Sequence, residues 1–211
     1  MQLPPITRAN FLGATTMAGG LSCFQILFNN NPTDNNIIAN QPPLTCVYHE
    51  PPPGVADYSD NTSVFGKILN GDIPCRTYDE STELLAFQDR KPRAKLHALV
   101  IPKRFVQNVY SLTSSDVGIV QDMRSMGLGI IEREQPTAFE SNDFILCFHI
   151  PPFNSVDHLH LHVLAPASEM QWIFRYGKYN CGARWCTSDL DVIERLRGGK
   201  VAVPYKQISF N

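Results

Sequence analysis

Three of the chain's six histidines, His158, His160 and His162, fall within five residues and alternate with Leu159, Leu161 and Val163. Alternate side chains of a strand share a face. The spacing therefore predicts a strand over 158–164, with three imidazoles on one side and three aliphatic groups in a core on the other. One reading of such a row is metal binding. His158 and His162 would stand ~13 Å apart at about 3.3 Å per residue, and zinc–nitrogen bonds are only about 2 Å long. One ion cannot take all three, so a site would need an adjacent pair plus His97 or His149. A second reading is a polar face without chemistry, for which Thr, Lys or Glu would serve. The third is covalent phosphoryl chemistry. Neutral imidazole is a good nucleophile at pH 7 because its ordinary pKa is about 6.5. Attack on a nucleotide α-phosphorus needs one ring held in one tautomer, with donors nearby for the phosphoryl oxygens and the leaving group. His160 alone has a triad neighbour on each side, which makes it the candidate nucleophile.

The elements that must position this row are visible as patterns. Asp143–Ile150 (DFILCFHI) alternates as a strand, with Phe144, Leu146, Phe148 and Ile150 on one face and Ile145, Cys147 and His149 on the other. His149 reads as an outward-facing strand residue. Leu84–Phe87 and Leu96–Ile101 read as strands, the second stopped by Pro102, with the polar turn Asp89–Arg93 between them. Val64–Leu69 reads as a short helix ending near Asn70-Gly71. A longer helix fits Thr113 to about Glu134, opened by a capping-box-like Thr113/Asp116 pair, with Val117, Val120, Met123, Gly127, Ile130 and Ile131 along one face. Ser188–Arg197 fits a short terminal helix. This order predicts an α+β fold with an antiparallel sheet and two main helices.

The segment 155-SVDHLHLHVLAP-166 carries the pattern His-apolar-His-apolar-His-apolar-apolar. It resembles the histidine triad family, and within it the nucleotide-binding (Hint) branch. The similarity extends over about residues 64–197, through 64-VFGKILNGDIPCRTYDE-80 and 84-LLAFQDRKPRAKLHALVIPKR-104. The resemblance implies that His160 forms a nucleotidyl-histidine intermediate and that His162 contacts the phosphate. It implies that His158 and His97 are buried supports, and that Ser155 hydrogen-bonds the phosphate or leaving group. Phe65, Ile68, Phe87, Asp89 and Arg90 would surround base and ribose. Asp89 suits ribose because a carboxylate accepts both hydroxyl protons; it also suits the start of a turn before Lys91-Pro92. The chain departs from the family's usual pattern in three places. Pro151-Pro152 stand where many members have an Asn and a Gly-rich turn, and they remove two N–H donors, one of which His149 would replace if it is not simply an outward strand residue. Arg90 stands where an apolar residue is common. Gly66 stands where zinc-bearing relatives carry a Cys.

The expected activity is a nucleotide phosphoramidase, hydrolysing adenosine or other purine nucleoside 5′-monophosphoramidates, or aminoacyl adenylates, to the monophosphate. No metal and no cofactor are expected. Alternatives are a dinucleoside polyphosphate hydrolase and a nucleotide-binding adaptor with little turnover. Partners implied are the purine nucleotide and a second copy in a homodimer, with no membrane and no nucleic acid. Composition agrees: 211 residues, 43% apolar, 18% charged and a net charge of −2 exclude a strongly basic nucleic-acid-coating chain. No apolar run is long enough for a confident membrane span. Six scattered Cys without a CxxC pair predict reduced thiols and no zinc ribbon. The chain divides into an Asn/Pro-rich extension, 1–60, and a domain, 61–211. Within the extension, 29–60 reads as linker, and 1–28 is either a poorly ordered extension or an organelle or secretory targeting segment. Cytoplasm and nucleus are the compartments the resemblance implies.

Overall fold

The computed structural model describes residues 44–204. The targeting and extension readings of residues 1–28 lie outside the described residues. Helix α1 (Val64–Leu69) is opened by Ser63, whose hydroxyl accepts the Gly66 N–H. Strands β1 (Thr77–Glu80), β2 (Leu84–Gln88) and β3 (Leu96–Pro102) follow. A 3-10 turn at Ser114–Asp116 carries the expected Thr113/Asp116 capping box and leads into α2 (Val117–Glu134). Next come α3 (Pro136–Glu140), β4 (Ile145–His149) and β5 (Leu161–Ala165). A π-helical segment spans Ile173–Lys178, and β6 (Cys186–Ser188) with α4 (Asp189–Arg197) completes the fold. The strands form one sheet in the order β1-β2-β3-β5-β4-β6, antiparallel at every pairing.

Period-two alternation decides what each face carries. Leu84 and Ala86 of β2, Leu96, Ala98 and Val100 of β3, Leu146 and Phe148 of β4, and Leu161, Val163 and Ala165 of β5 join one buried cluster with Val120, Met123, Ile130, Ile131 and Leu196 of the helices. Gly127 lets α2 lie close on β5, since a Cβ there would press on Val163. The opposite face is divided. Leu85, Phe87, Leu99 and Ile101 pack under Phe65, Ile68 and Leu69 of α1. At the other side Cys147 and Leu164 pack with Ala167, Met170, Tyr179 and Cys186. Between these two clusters lie the histidines. Among the described residues no helix is long and apolar enough to cross a membrane.

Three expectations are corrected. The triad strand begins at Leu161, not His158. Extending the β3–β5 register would set Leu159 opposite Pro102, which has no N–H. The Leu159 N–H goes to Val106 O at 2.7 Å instead, and the Pro102 carbonyl is taken by the His158 ring. The side chains still alternate, with Leu159 in the helix-side core. The linker reading fails over 44–60. This stretch has no regular element, but Thr45 bridges Cys75, the His49 N–H bonds Leu69 O, and Tyr58 is buried beside Phe65. Glu80 holds both His49 Nδ1 (3.0 Å) and Lys103 Nζ (2.7 Å). The thiols are also not uniformly reduced: Cys75, Cys147, Cys181 and Cys186 are free, whereas Cys46 is disulfide-bonded.

Candidate active site

His158, His160, His162, His97 and His149 are all buried on the face of the sheet away from α2. Their tautomers follow from their partners. His158 Nε2 lies 2.8 Å from the Pro102 carbonyl and must donate to it, so Nδ1 accepts from the Asn61 amide at 2.8 Å. Asn61 Oδ1 in turn accepts from the Ser63 hydroxyl that caps α1. α1 lies close against this residue, because a Cβ at Gly66 would overlap the Asn61 carbonyl. That contact gives a reason for Gly at 66 independent of any zinc. One end of the triad is thus locked to both α1 and β3.

His160 Nδ1 lies 2.7 Å from the His158 carbonyl and donates to it. The neutral ring then presents a lone pair at Nε2, the tautomer a nucleophile needs. His97 Nδ1 accepts the Arg93 N–H at 3.2 Å, so its Nε2–H donates to His162 Nδ1 at 3.0 Å. That assigns the His162 proton to Nε2, which is buried without a hydrogen-bond partner. An unpartnered buried donor is costly, and here it lies beside the candidate nucleophile, with the His160 and His162 ring centroids 5.0 Å apart.

Burial holds all five rings neutral near pH 7. It pushes His97 down to about 4, opposed by Asp89, and His158 down to about 4. His149 falls to about 4 through burial and the Lys178 charge. His160 is lowered by burial, and His162 is held well below its ordinary value by burial and then by His160, His97 and His149. His149, His160 and His162 offer ring nitrogens within 4.8 Å of one another, and so do Asp89, His97 and His162 with their ligand atoms. The relay leaves a proton, not a lone pair, on the open nitrogen of His162. That polarity suits an anionic oxygen and opposes a cation.

Of the residues singled out in the sequence, the structure brings together the three triad histidines, His97, Asp89 and Phe65. Asp89 Oδ1 caps the turn through the Lys91 N–H at 2.7 Å, and Oδ2 lies 3.4 Å from His97 Nε2. Phe65 meets His158 and His160 edge-on, at 5.8 and 5.3 Å between centroids. Ile68 and Phe87 are buried behind it. Ser155 and Arg90 are exposed, and no hydrogen bond ties either to the histidines among the described residues. One residue is placed differently from its strand reading, and one was not singled out. His149 is not an outward strand residue: its ring lies 4.5 Å from that of His162, and its Nε2–H donates to Lys178 O. Its place opposite the core face of β4 was the available signal. Tyr179 packs at 5.3–5.7 Å against His97, His149 and His162, and nothing local in sequence announces it. A cavity of about 10 Å³, lined by His149, Asn154, His158 and His160 among others, leaves room for about one water.

The family model described as scavenger mRNA decapping enzyme C-terminal binding matches residues 62–176. The chain is similar to adenosine 5′-monophosphoramidase HINT3 of Danio rerio, 36% identical over 149 residues that cover 67% of this chain and 86% of that protein. HINT3 of Mus musculus is 33% identical over 140 residues, 65% of this chain and 83% of the relative. The bifunctional adenosine 5′-phosphosulfate phosphorylase/adenylylsulfatase HINT4 of Arabidopsis thaliana is 36% identical over 111 residues, 52% and 73% respectively.

Proposed function

The chain belongs to the histidine triad family, and we propose that it is a phosphoramidase, hydrolysing adenosine or other purine nucleoside 5′-monophosphoramidates to the nucleoside monophosphate. The observation that carries this reading is the pairing of opposite polarities: a lone pair at His160 Nε2 beside a buried, unanswered N–H at His162 Nε2. His160 Nε2 attacks the α-phosphorus and displaces the amine. His162 Nε2–H donates to a non-bridging oxygen, where negative charge grows. The departing amine must take a proton, and the Ser155 hydroxyl on the loop before the triad is the route assigned to it. Water then cleaves the P–N bond to His160, releasing the monophosphate and the free imidazole. Phe65, Ile68 and Phe87 bound the base side, Asp89 accepts from the ribose hydroxyls, and the exposed Arg90 lies at the rim. No step calls on a metal.

The relative named adenosine 5′-phosphosulfate phosphorylase/adenylylsulfatase supports an adenylyl group as the common part of the substrate, with the leaving group as the variable part. A homodimer completes the reading; sedimentation equilibrium at micromolar concentration tests it.

The test is hydrolysis of adenosine 5′-phosphoramidate in EDTA by the wild-type chain and by His160→Ala. Wild-type turnover is expected to be indifferent to chelator and to fall at least about 10⁴-fold on substitution. Turnover that survives in His160→Ala overturns the nucleophile. Saturable nucleotide binding without wild-type turnover supports the adaptor reading instead.

A further inference from the structure

Three free cysteines, Cys147 and the later pair Cys181 and Cys186, converge outside the histidine cluster. Cys147 is fully buried on β4, Cys186 is buried at the start of β6, and Cys181 is partly exposed in the loop between the π-helical segment and β6. In the β4–β6 ladder His149 faces Cys186 and Cys147 faces Ser188, so Cys147 and Cys186 project from the same face of adjacent strands. Trp185 Nε1–H donates to Gly177 O at 2.8 Å and folds the connecting loop back, which brings Cys181 over the pair. Cys181 Sγ and Cys186 Sγ are 3.4 Å apart, Cys147 is within hydrogen-bonding reach of both, and all three sulfurs lie within 4.8 Å of one another.

We infer that Cys147, Cys181 and Cys186 form a binding site for a thiophilic metal ion of the zinc(II) class, held by three thiolates with a fourth ligand from solvent. Packing alone does not require three thiols from three elements to aim at one point, since any small apolar side chain fills such space. The donor set contains sulfur and no carboxylate, which selects zinc or copper(I) over calcium or magnesium. Zinc–sulfur bonds of about 2.3 Å in a tetrahedron set sulfurs about 3.8 Å apart. The 3.4 Å pair must open by about 0.4 Å, a small rotation at the half-exposed Cys181. Two of the three ligands sit on strands, so the site is largely preformed. An access route is present as well. A cleft of about 220 Å³, lined by Phe153, Arg184, Thr187 and Val203 among others, reaches both Cys181 and Cys186 and has room for the fourth ligand. Binding balances as one divalent ion taken up and three thiol protons released to solvent. The absence of CxxC hid this set in the sequence, because Cys147 is supplied by a strand 34 residues before Cys181.

Cobalt(II) is the probe, titrated into the full-length chain kept reduced with a phosphine. The expected result is one cobalt per chain, with an intense near-ultraviolet sulfur-to-cobalt charge-transfer band and displacement by zinc(II). Cys181→Ser is the informative variant because Cys181 is partly exposed in a loop, whereas Cys147 and Cys186 are buried on strands; circular dichroism checks that the variant folds. It is expected to weaken cobalt binding by more than the roughly 10–100-fold that supporting residues cost, and to diminish the band. Cys186→Ser should do the same, while His160→Ala should keep both band and affinity. No charge-transfer band in the reduced wild type overturns the site. So does a band unchanged in Cys181→Ser, which would belong to other thiols, or a band lost in His160→Ala.

Discussion

Leu161 and His162 are neighbours in one strand and face opposite sides of one sheet, where the two sides are built on different terms. The side under α2 and α4 is filled mainly by apolar side chains, and its buried carboxylate, Asp189, is answered by Arg124. The other side buries five imidazoles between two apolar clusters, and one of their N–H groups has no partner. Apolar burial stabilises at about 25 cal/mol per Å². Buried imidazoles give up hydration, and each must stay neutral to remain buried. The comparison shows where the fold is held together and where stability is spent to hold a lone pair and a donor in place.

The largest test of that difference is pH. His149 and His158 have folded pKa values of about 4 against about 6.5 when unfolded. The folded state therefore binds these protons less readily than the unfolded chain. Their neutral forms leave stability intact above about pH 6.5, and it is lost as pH falls from there towards 4. At pH 5 the linkage amounts to about 2 kcal/mol for each, about 4 kcal/mol for the two. Urea denaturation at pH 7 and pH 5 should show that loss. Leu161→Ala should lower the whole stability–pH curve without changing its slope. Equal stability at the two pH values would refute the buried neutral rings. The same burial holds His160 below its ordinary value, so the rate should show no inflection near pH 6.5.

Next comes the pair of neighbours themselves. Leu161→Ala removes a fully buried side chain from the helix-side core and should cost about 2–5 kcal/mol of stability, with turnover per folded molecule preserved. His162→Ala should do the reverse, lowering kcat by about 10²–10³-fold, the loss typical of a removed transition-state donor. Wild-type kcat in folded His162→Ala would show that the unanswered N–H has no part in the chemistry.

Much of this contrast is legible in the sequence. The alternation in DFILCFHI and HLHLHVL assigns Leu146, Phe148, Leu161 and Val163 to one face and Cys147, His160 and His162 to the other, because these strands present only apolar side chains to the helices. The capping box at Thr113 marks the start of the long helix because both partners are local. What escapes is carried by single residues or by tertiary contact. β1 reads TYDE and β6 only CTS, edge strands too short and polar to show a period. The arm 44–60 has linker composition, yet it is fixed by His49 and Tyr58, each buried by a distant partner. His149 has the right face but no local sign that another histidine lies across the ladder. The pattern overextends the triad's own strand because the period continues through His158 while the hydrogen-bond ladder ends at Pro102.

The smallest effect is expected at Asn61, and it separates support from chemistry on the histidine face. Asn61 donates to His158 Nδ1 and receives the Ser63 hydroxyl. Asn61→Ala leaves that buried ring nitrogen without a donor, which costs about 1–3 kcal/mol. The tautomer of His160, however, is set by the backbone carbonyl of His158 and not by its ring. The carbonyl stays in place while β5 and the His158–Pro102 bond hold, so kcat should fall by less than about tenfold, with the loss appearing in the denaturation midpoint. If turnover instead drops by about two orders of magnitude or more at unchanged stability, the His158 ring itself tunes the nucleophile. The boundary between scaffold and reacting groups would then lie at His158 instead of between His158 and His160.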